Sequence, residues 1–228
     1  MKKMIIGIVM LLLWFSIIPV DARAGGGSSG GGGGSGGSGH SSTHSQRNGQ
    51  VLPGSGLIVL AITAGFVYYT KHMKIRQMHK QAREQLEEAY QSDDFWDESE
   101  LKDKVKESYY MIQQAWSDQD KETLRKYLTD YLYQQWLIKM NWQDFKNERN
   151  ILDNIRLLNK TIVSAYDDEN DYYDYFWVAI EGKMKDQTII DHEVVNETNE
   201  VFIEYWKYLR DGDNILLDEI LQEDEVKG

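Results

Sequence analysis

Between residues 95 and 228 the chain offers one histidine, His192, in a polar stretch with no evident partner to orient it. A general base needs hydrogen-bond geometry first and a tuned pKa second, so His192 gives catalysis no anchor and the chain reads as a non-enzyme. His40 and His44 are four apart, a spacing that suits a metal on a helix, but they lie in a Gly/Ser tract where no helix forms. The acidic run Asp167 to Asp171 suggests calcium, yet Tyr172 stands where the calcium-loop motif needs glycine, so it reads as a solvated turn. No metal site is expected.

Cysteine is absent, which excludes disulfides, thiol catalysis and thiolate metal sites. Of the 19 glycines, only Gly182, Gly212 and Gly228 fall after residue 70. Without a glycine-rich turn there is no backbone cradle for phosphates, so neither a Walker loop nor a dinucleotide fingerprint exists and no cofactor is expected. Residues 95–228 carry 16 Lys and Arg against 31 Asp and Glu. That acidity argues against nucleic-acid binding, which depends on neutralising phosphates.

The elements that position these residues begin with two apolar runs. Met4 to Val20 follows Lys2 and Lys3 and precedes Ala22-Arg23-Ala24, the pattern of a secretory signal peptide spanning 1–24; an uncleaved signal anchor would give the same topology. Residues 25–50, rich in Gly and Ser, have no apolar side chain to bury and read as a disordered extracytoplasmic segment. Residues 51–70 form the second run, whose apolar part Val51 to Tyr69 is about 28 Å long as a helix and just sufficient for a bilayer core of about 30 Å. Lys71, Lys74, Arg76, Lys80 and Arg83 follow it with no acid among them. Such a flank puts the rest of the chain in the cytoplasm and the protein in the cell membrane, single-pass after leader cleavage. The five cations form a collar suited to anionic lipid headgroups.

In 71–94, Ile75, Met78, Ala82, Leu86 and Tyr90 recur at helical steps. This juxtamembrane helix, basic first and acidic later, is either a stalk or an amphipathic segment lying on the membrane or packing on a neighbour. The globular region, 95–228, has no proline and six of the seven tryptophans. Leu101, Val105, Tyr109, Ile112 and Trp116 mark one helix; after Asp118 and Asp120, Leu124, Tyr127, Leu128, Tyr131, Leu132 and Trp136 mark a second. A further helical stretch runs through Trp142 and Phe145 to about Arg149. Strands are expected at Ile155–Tyr166, Tyr172–Asp186, Val201–Arg210 and Ile215–Leu221. Helices first and strands afterwards make an α+β domain with an antiparallel sheet. The second strand is apolar on both faces, Tyr175, Trp177 and Ala179 on one and Phe176, Val178 and Ile180 on the other, and should be covered on both sides by chain, ligand or partner.

Ala115-Trp116, Leu124-Arg125-Lys126-Tyr127-Leu128 and Phe202-Ile203-Glu204-Tyr205-Trp206 with Arg210 resemble the Tim44-like domain, over residues 95–221. The family takes its name from the membrane-facing subunit of the mitochondrial import motor and includes bacterial proteins with a leader, a glycine-rich stretch and one span. The resemblance implies a cone like that of nuclear transport factor two, with helices across a curved antiparallel sheet enclosing an apolar pocket. It also implies membrane lipid, or a membrane protein or transport complex, as partner. Carried over, the family's strand motif matches Phe202, Glu204, Trp206 and Arg210, all of one parity and so on one sheet face. Ile215 stands where the family closes with tryptophan, a departure at the pocket's end wall. Glu204 and Arg210 can be read as an ordinary same-face ion pair, and the tryptophans as core.

Tyr109, Ile112, Trp116, Phe176, Val178, Phe202, Glu204, Trp206 and Arg210 are the candidate pocket residues. The function expected is non-catalytic binding of lipid or another hydrophobic ligand, assisting membrane protein transport or assembly. The alternative is a scaffold that docks a protein complex without a small ligand, and the third reading is an isomerase or dehydratase like those on similar cones.

Overall fold

The computed structural model describes residues 54–168 and 173–226, with the side chains of 54–65 and 67 left aside. The expected signal peptide, the Gly/Ser segment and residues 51–53 lie outside the described residues. So do residues 169–171 of the acidic run.

The first helix, α1, runs Gly54–Tyr90 without interruption. It joins most of the expected span to the juxtamembrane segment in one rod of about 55 Å. Among the described residues no helix is long and apolar enough to cross a membrane. A 3-10 turn, Asp94–Trp96, follows, with the Asp93 side chain accepting from the Phe95 N–H. Asp97 caps the next helix, α2, Glu98–Asp118, which ends at Gln119 in the left-handed region.

The second helix of the sequence reading is two helices, a correction with a local cause. After α3, Lys121–Tyr127, the chain breaks at Leu128 and Thr129, and α4 spans Asp130–Phe145. The Thr129 N–H donates to the Leu217 carbonyl at 2.9 Å, so the sheet takes the donor that a continuous helix would use. The Thr129 hydroxyl then accepts from Leu132 N–H and restarts the helix. Nor does the helical stretch reach Arg149: α4 ends at Phe145, Asn147 turns with φ 51°, and strand follows at once.

The strands are β1 Glu148–Tyr166, β2 Tyr175–Ile190, β3 Glu193–Thr198, β4 Val201–Asp211 and β5 Asn214–Gln222. All pairings are antiparallel in the order β1-β2-β4-β5, with β3 pairing the last residues of β2. The domain is therefore α+β, with helices packed against an antiparallel sheet. Bulges in β1 near Asp153, Leu157 and Ile162 bend the long strand. Its outer edge is covered by helix side chains: Ser117 Oγ accepts from Leu152 N–H, the Tyr110 hydroxyl from Leu157 N–H and Gln85 Oε1 from Ala165 N–H. Covering that edge satisfies donors on which another chain could otherwise pair.

β2 is covered on both faces, as its composition requires. Phe176, Val178, Ile180 and Met184 enter the main core beneath α2–α4, while Ala179 and Trp177 belong to a smaller cluster on the opposite face.

Candidate functional site

On β4, Phe202, Glu204, Trp206 and Tyr208 point to the helices and are buried. Glu204 has no exposed surface; its carboxylate accepts from Trp206 Nε1 at 3.0 Å and from Gln222 Nε2 at 3.3 Å. The expected ion pair between Glu204 and Arg210 does not form. Six residues along a strand span about 20 Å, so shared parity places the two on one face without making them neighbours. Arg210 instead donates to Asp93 at 2.6 Å and Asp174 at 3.0 Å, and its guanidinium lies 4.3 Å from the Phe95 ring centre. The end of β4 is thereby tied to the junction of α1 and α2. The Phe95 N–H, opposed by burial and aided by Arg210, holds the Asp93 carboxyl below its ordinary 3.8.

The other pocket candidates do converge, and their side chains are buried together. Tyr109 lies 5.4 Å from Trp206, Trp116 5.0 Å from Trp136, and Phe176 5.5 Å from Tyr208, ring centre to ring centre. Ile112 and Val178 have no exposed surface. A Cβ at Gly182 would meet Phe202 Cζ at 2.4 Å and the Tyr109 hydroxyl at 2.6 Å, so glycine there lets two rings press onto the sheet. Tyr109, Ile112, Trp116, Phe176, Val178, Phe202 and Trp206 all belong to the main buried cluster.

The opposite face of the sheet is closed by α1. Ile75 is buried with Val163, Ala179 and Tyr205, and Met78, Trp177, Ile203 and Leu221 pack around them. The basic collar is partly engaged with its own domain: Lys71 Nζ is 2.6 Å from Glu223, Lys74 donates to the Val226 carbonyl at 3.3 Å, and Arg83 pairs with Glu87 on the same helix at 2.8 Å. Arg76 and Lys80 are exposed. Two histidines that the sequence did not single out extend the contact. His72 Nε2 lies 3.3 Å from Glu181, and His79 Nδ1 donates to the Ile162 carbonyl at 2.8 Å. Of the open alternatives for residues 71–94, the helix packs on a neighbour, and the neighbour is its own sheet.

His192 is exposed in the β2–β3 turn with φ 71°. Among the described residues no three His, Cys, Asp or Glu side chains could hold a metal ion. Trp96 Nε1 donates to Asp167 at 3.0 Å, which ties the start of the acidic run to the 3-10 turn.

One feature of α4 escaped the sequence reading. Leu132, Trp136 and Met140 are buried, but Tyr131, expected in their stripe, is exposed, and with Ile138, Trp142 and Phe145 it follows steps of seven, four and three on the other side. Ile138, Trp142 and Phe145 are 60%, 59% and 80% exposed and, with Asn141, line a shallow groove of about 450 Å³. The spacing was there to be seen; a helix apolar on two faces gives no net direction to burial.

Residues 82–216 match the family model described as Tim44-like domain. No curated protein matches the chain. Among solved structures, the intermembrane space region of the chloroplast protein ARC6 is similar at 12% identity, over 55% of this chain and 95% of that chain, with a TM-score of 0.44.

Proposed function

Because the chain belongs to the Tim44-like domain family, we propose that it is a membrane-anchored, non-catalytic docking module that works at the bilayer surface and assists a membrane protein or transport complex. In this reading the leader 1–24 is removed, 51–70 spans the membrane, and the α+β domain faces the cytoplasm. The observation that carries it is the contrast between interior and surface. Tyr109, Trp116, Phe176 and Trp206 are buried ring against ring, whereas α4 leaves large aromatic side chains in solvent. Exposed apolar patches rimmed by polar groups mark interaction sites.

A second reading, in which the interior opens to take lipid or another hydrophobic ligand, draws support from Gln113. Its amide is fully buried on α2, and neither its oxygen nor its nitrogen has a hydrogen-bond partner among the described residues. Ordered water serves such groups as well.

The test is purification of the full chain from membranes, followed by lipid extraction with mass spectrometry and identification of co-purifying proteins. A stoichiometric protein partner that co-purifies with a chain free of tightly bound lipid supports docking. A stoichiometric lipid that resists delipidation and is lost on Trp206→Ala in a folded chain supports the second reading. Recovery of the untreated protein in the soluble fraction would remove the membrane from both.

A further inference from the structure

We infer that the exposed stripe of α4 is a second point of membrane contact, seating Ile138, Trp142 and Phe145 in the headgroup region of an anionic leaflet. This rests on the membrane-anchored reading and adds to it the face that the domain turns to the bilayer.

Charge is the first support. Residues 95–130 hold six Lys and Arg against nine acids, and residues 150–228 hold seven against twenty. Between them, residues 131–149 hold three basic side chains, Lys139, Lys146 and Arg149, against two acids. The aromatic stripe therefore lies on the least acidic stretch of the domain, where Arg149 pairs with Asp144 and Lys146 lies 4.0 Å from Glu148. Exposed aromatic side chains suit the interface between water and acyl chains.

The path of α1 is the second support, and it is independent of charge. Going back along α1 toward its start, Gln85 meets β1 at Ala165, His79 meets it at Ile162, and His72 meets Glu181, whose register partner on β1 is Asn159. The helix thus descends the sheet toward the start of β1. Glu148, the first residue of β1, pairs with Ile190 at the end of β2, and there the α4–β1 turn joins the β2–β3 turn through Asn147 and Asp191. The apolar run at the start of α1 and the aromatic end of α4 consequently point to the same end of the sheet. A bilayer holding one is within reach of the other.

The chain has no cysteine, so one introduced thiol reports one position. Phe145→Cys and, at the opposite end of the sheet, Asp213→Cys are each labelled with an environment-sensitive fluorophore. The full chain is then placed in vesicles of mixed phosphatidylglycerol and phosphatidylcholine, or of phosphatidylcholine alone, with and without spin-labelled lipid. The expected result is a blue shift and several-fold stronger lipid quenching at 145 than at 213, greater in the phosphatidylglycerol vesicles. Equal, water-like emission at both positions in protein that floats with the vesicles overturns the proposal. Emission at 145 that is shielded but not quenched by spin-labelled lipid also overturns it, because protein then covers the stripe. Protein that fails to float at all refutes the membrane anchoring itself, a distinct result.

Discussion

The two faces of the sheet are closed in different ways. Beneath α2–α4 lies one continuous core that includes Trp96, Tyr109, Trp116, Phe176 and Trp206, built from every helix and from strands β1, β2, β4 and β5. On the other face a single buried side chain of α1, Ile75, covers Val163, Ala179 and Tyr205. Burial stabilises in rough proportion to apolar area, so the first face carries the fold and the second carries only the docking of one helix segment. That segment leads toward the expected membrane span, so the weaker contact is also the one through which any force from an anchor would enter.

The contrast is sharpest at neighbouring positions on β4, where Trp206 points to the large core and Tyr205 to the small one. Trp206→Ala should cost about 3–5 kcal/mol, the range for emptying a buried aromatic site, and it also removes a donor from the buried Glu204. Equilibrium denaturation by urea measures it, and a loss no greater than that of Tyr205→Ala would erase the distinction between the faces.

Arg210→Met should come next, at about 3 kcal/mol, since it leaves the Asp174 carboxylate buried with its cationic partner gone. Acid supplies the same test from the other side. Asp93 titrates below its ordinary 3.8 in the folded protein, so its contribution is present above that value and is lost as pH falls through the lowered one. The variant should therefore be less stable at neutral pH and lose less than the parent on acidification. Parallel acid curves for the two proteins would show that Arg210 has no part in holding Asp93.

On the weaker face, Ile75→Ala should cost about 2 kcal/mol, at the low end for a buried isoleucine because the site borders solvent. Its signature should be local: hydrogen exchange at residues 71–78 accelerates while amides of β2 and α2 keep their protection. Loss of protection throughout the sheet would mean that the two clusters unfold as one.

What the sequence disclosed follows the same division. The helical stripe of α2 and the doubly apolar β2 were legible because each residue's type states where it must go. β3 was not, since all six of its residues are exposed and none announces a buried side. The start of β1 was hidden because Glu148 and Asn150 take interior positions there; Asn150 is satisfied by Gln143 and Thr188, partners from α4 and β2. The site fared likewise. Parity put Glu204 and Arg210 on one face, but the partners of Arg210 stand 117 and 36 residues away along the chain, and no spacing rule reaches them.

The smallest expected effect belongs to the charges that accompany Ile75. Lys71 and Glu223 are 2.6 Å apart, yet their side chains are 39% and 34% exposed, and pairs so wetted contribute about 0–1 kcal/mol. A double-mutant cycle of Lys71→Gln and Glu223→Gln should return a coupling in that range, and raising the salt to about 1 M, where screening acts within about 3 Å, should remove it. Exchange at residues 71–78 should nevertheless hardly change with salt, because apolar contact around Ile75 and Met78 holds the segment down. If high salt instead frees the segment as fully as Ile75→Ala does, charge holds α1 to the sheet. An anionic membrane surface could then compete directly for the same lysine.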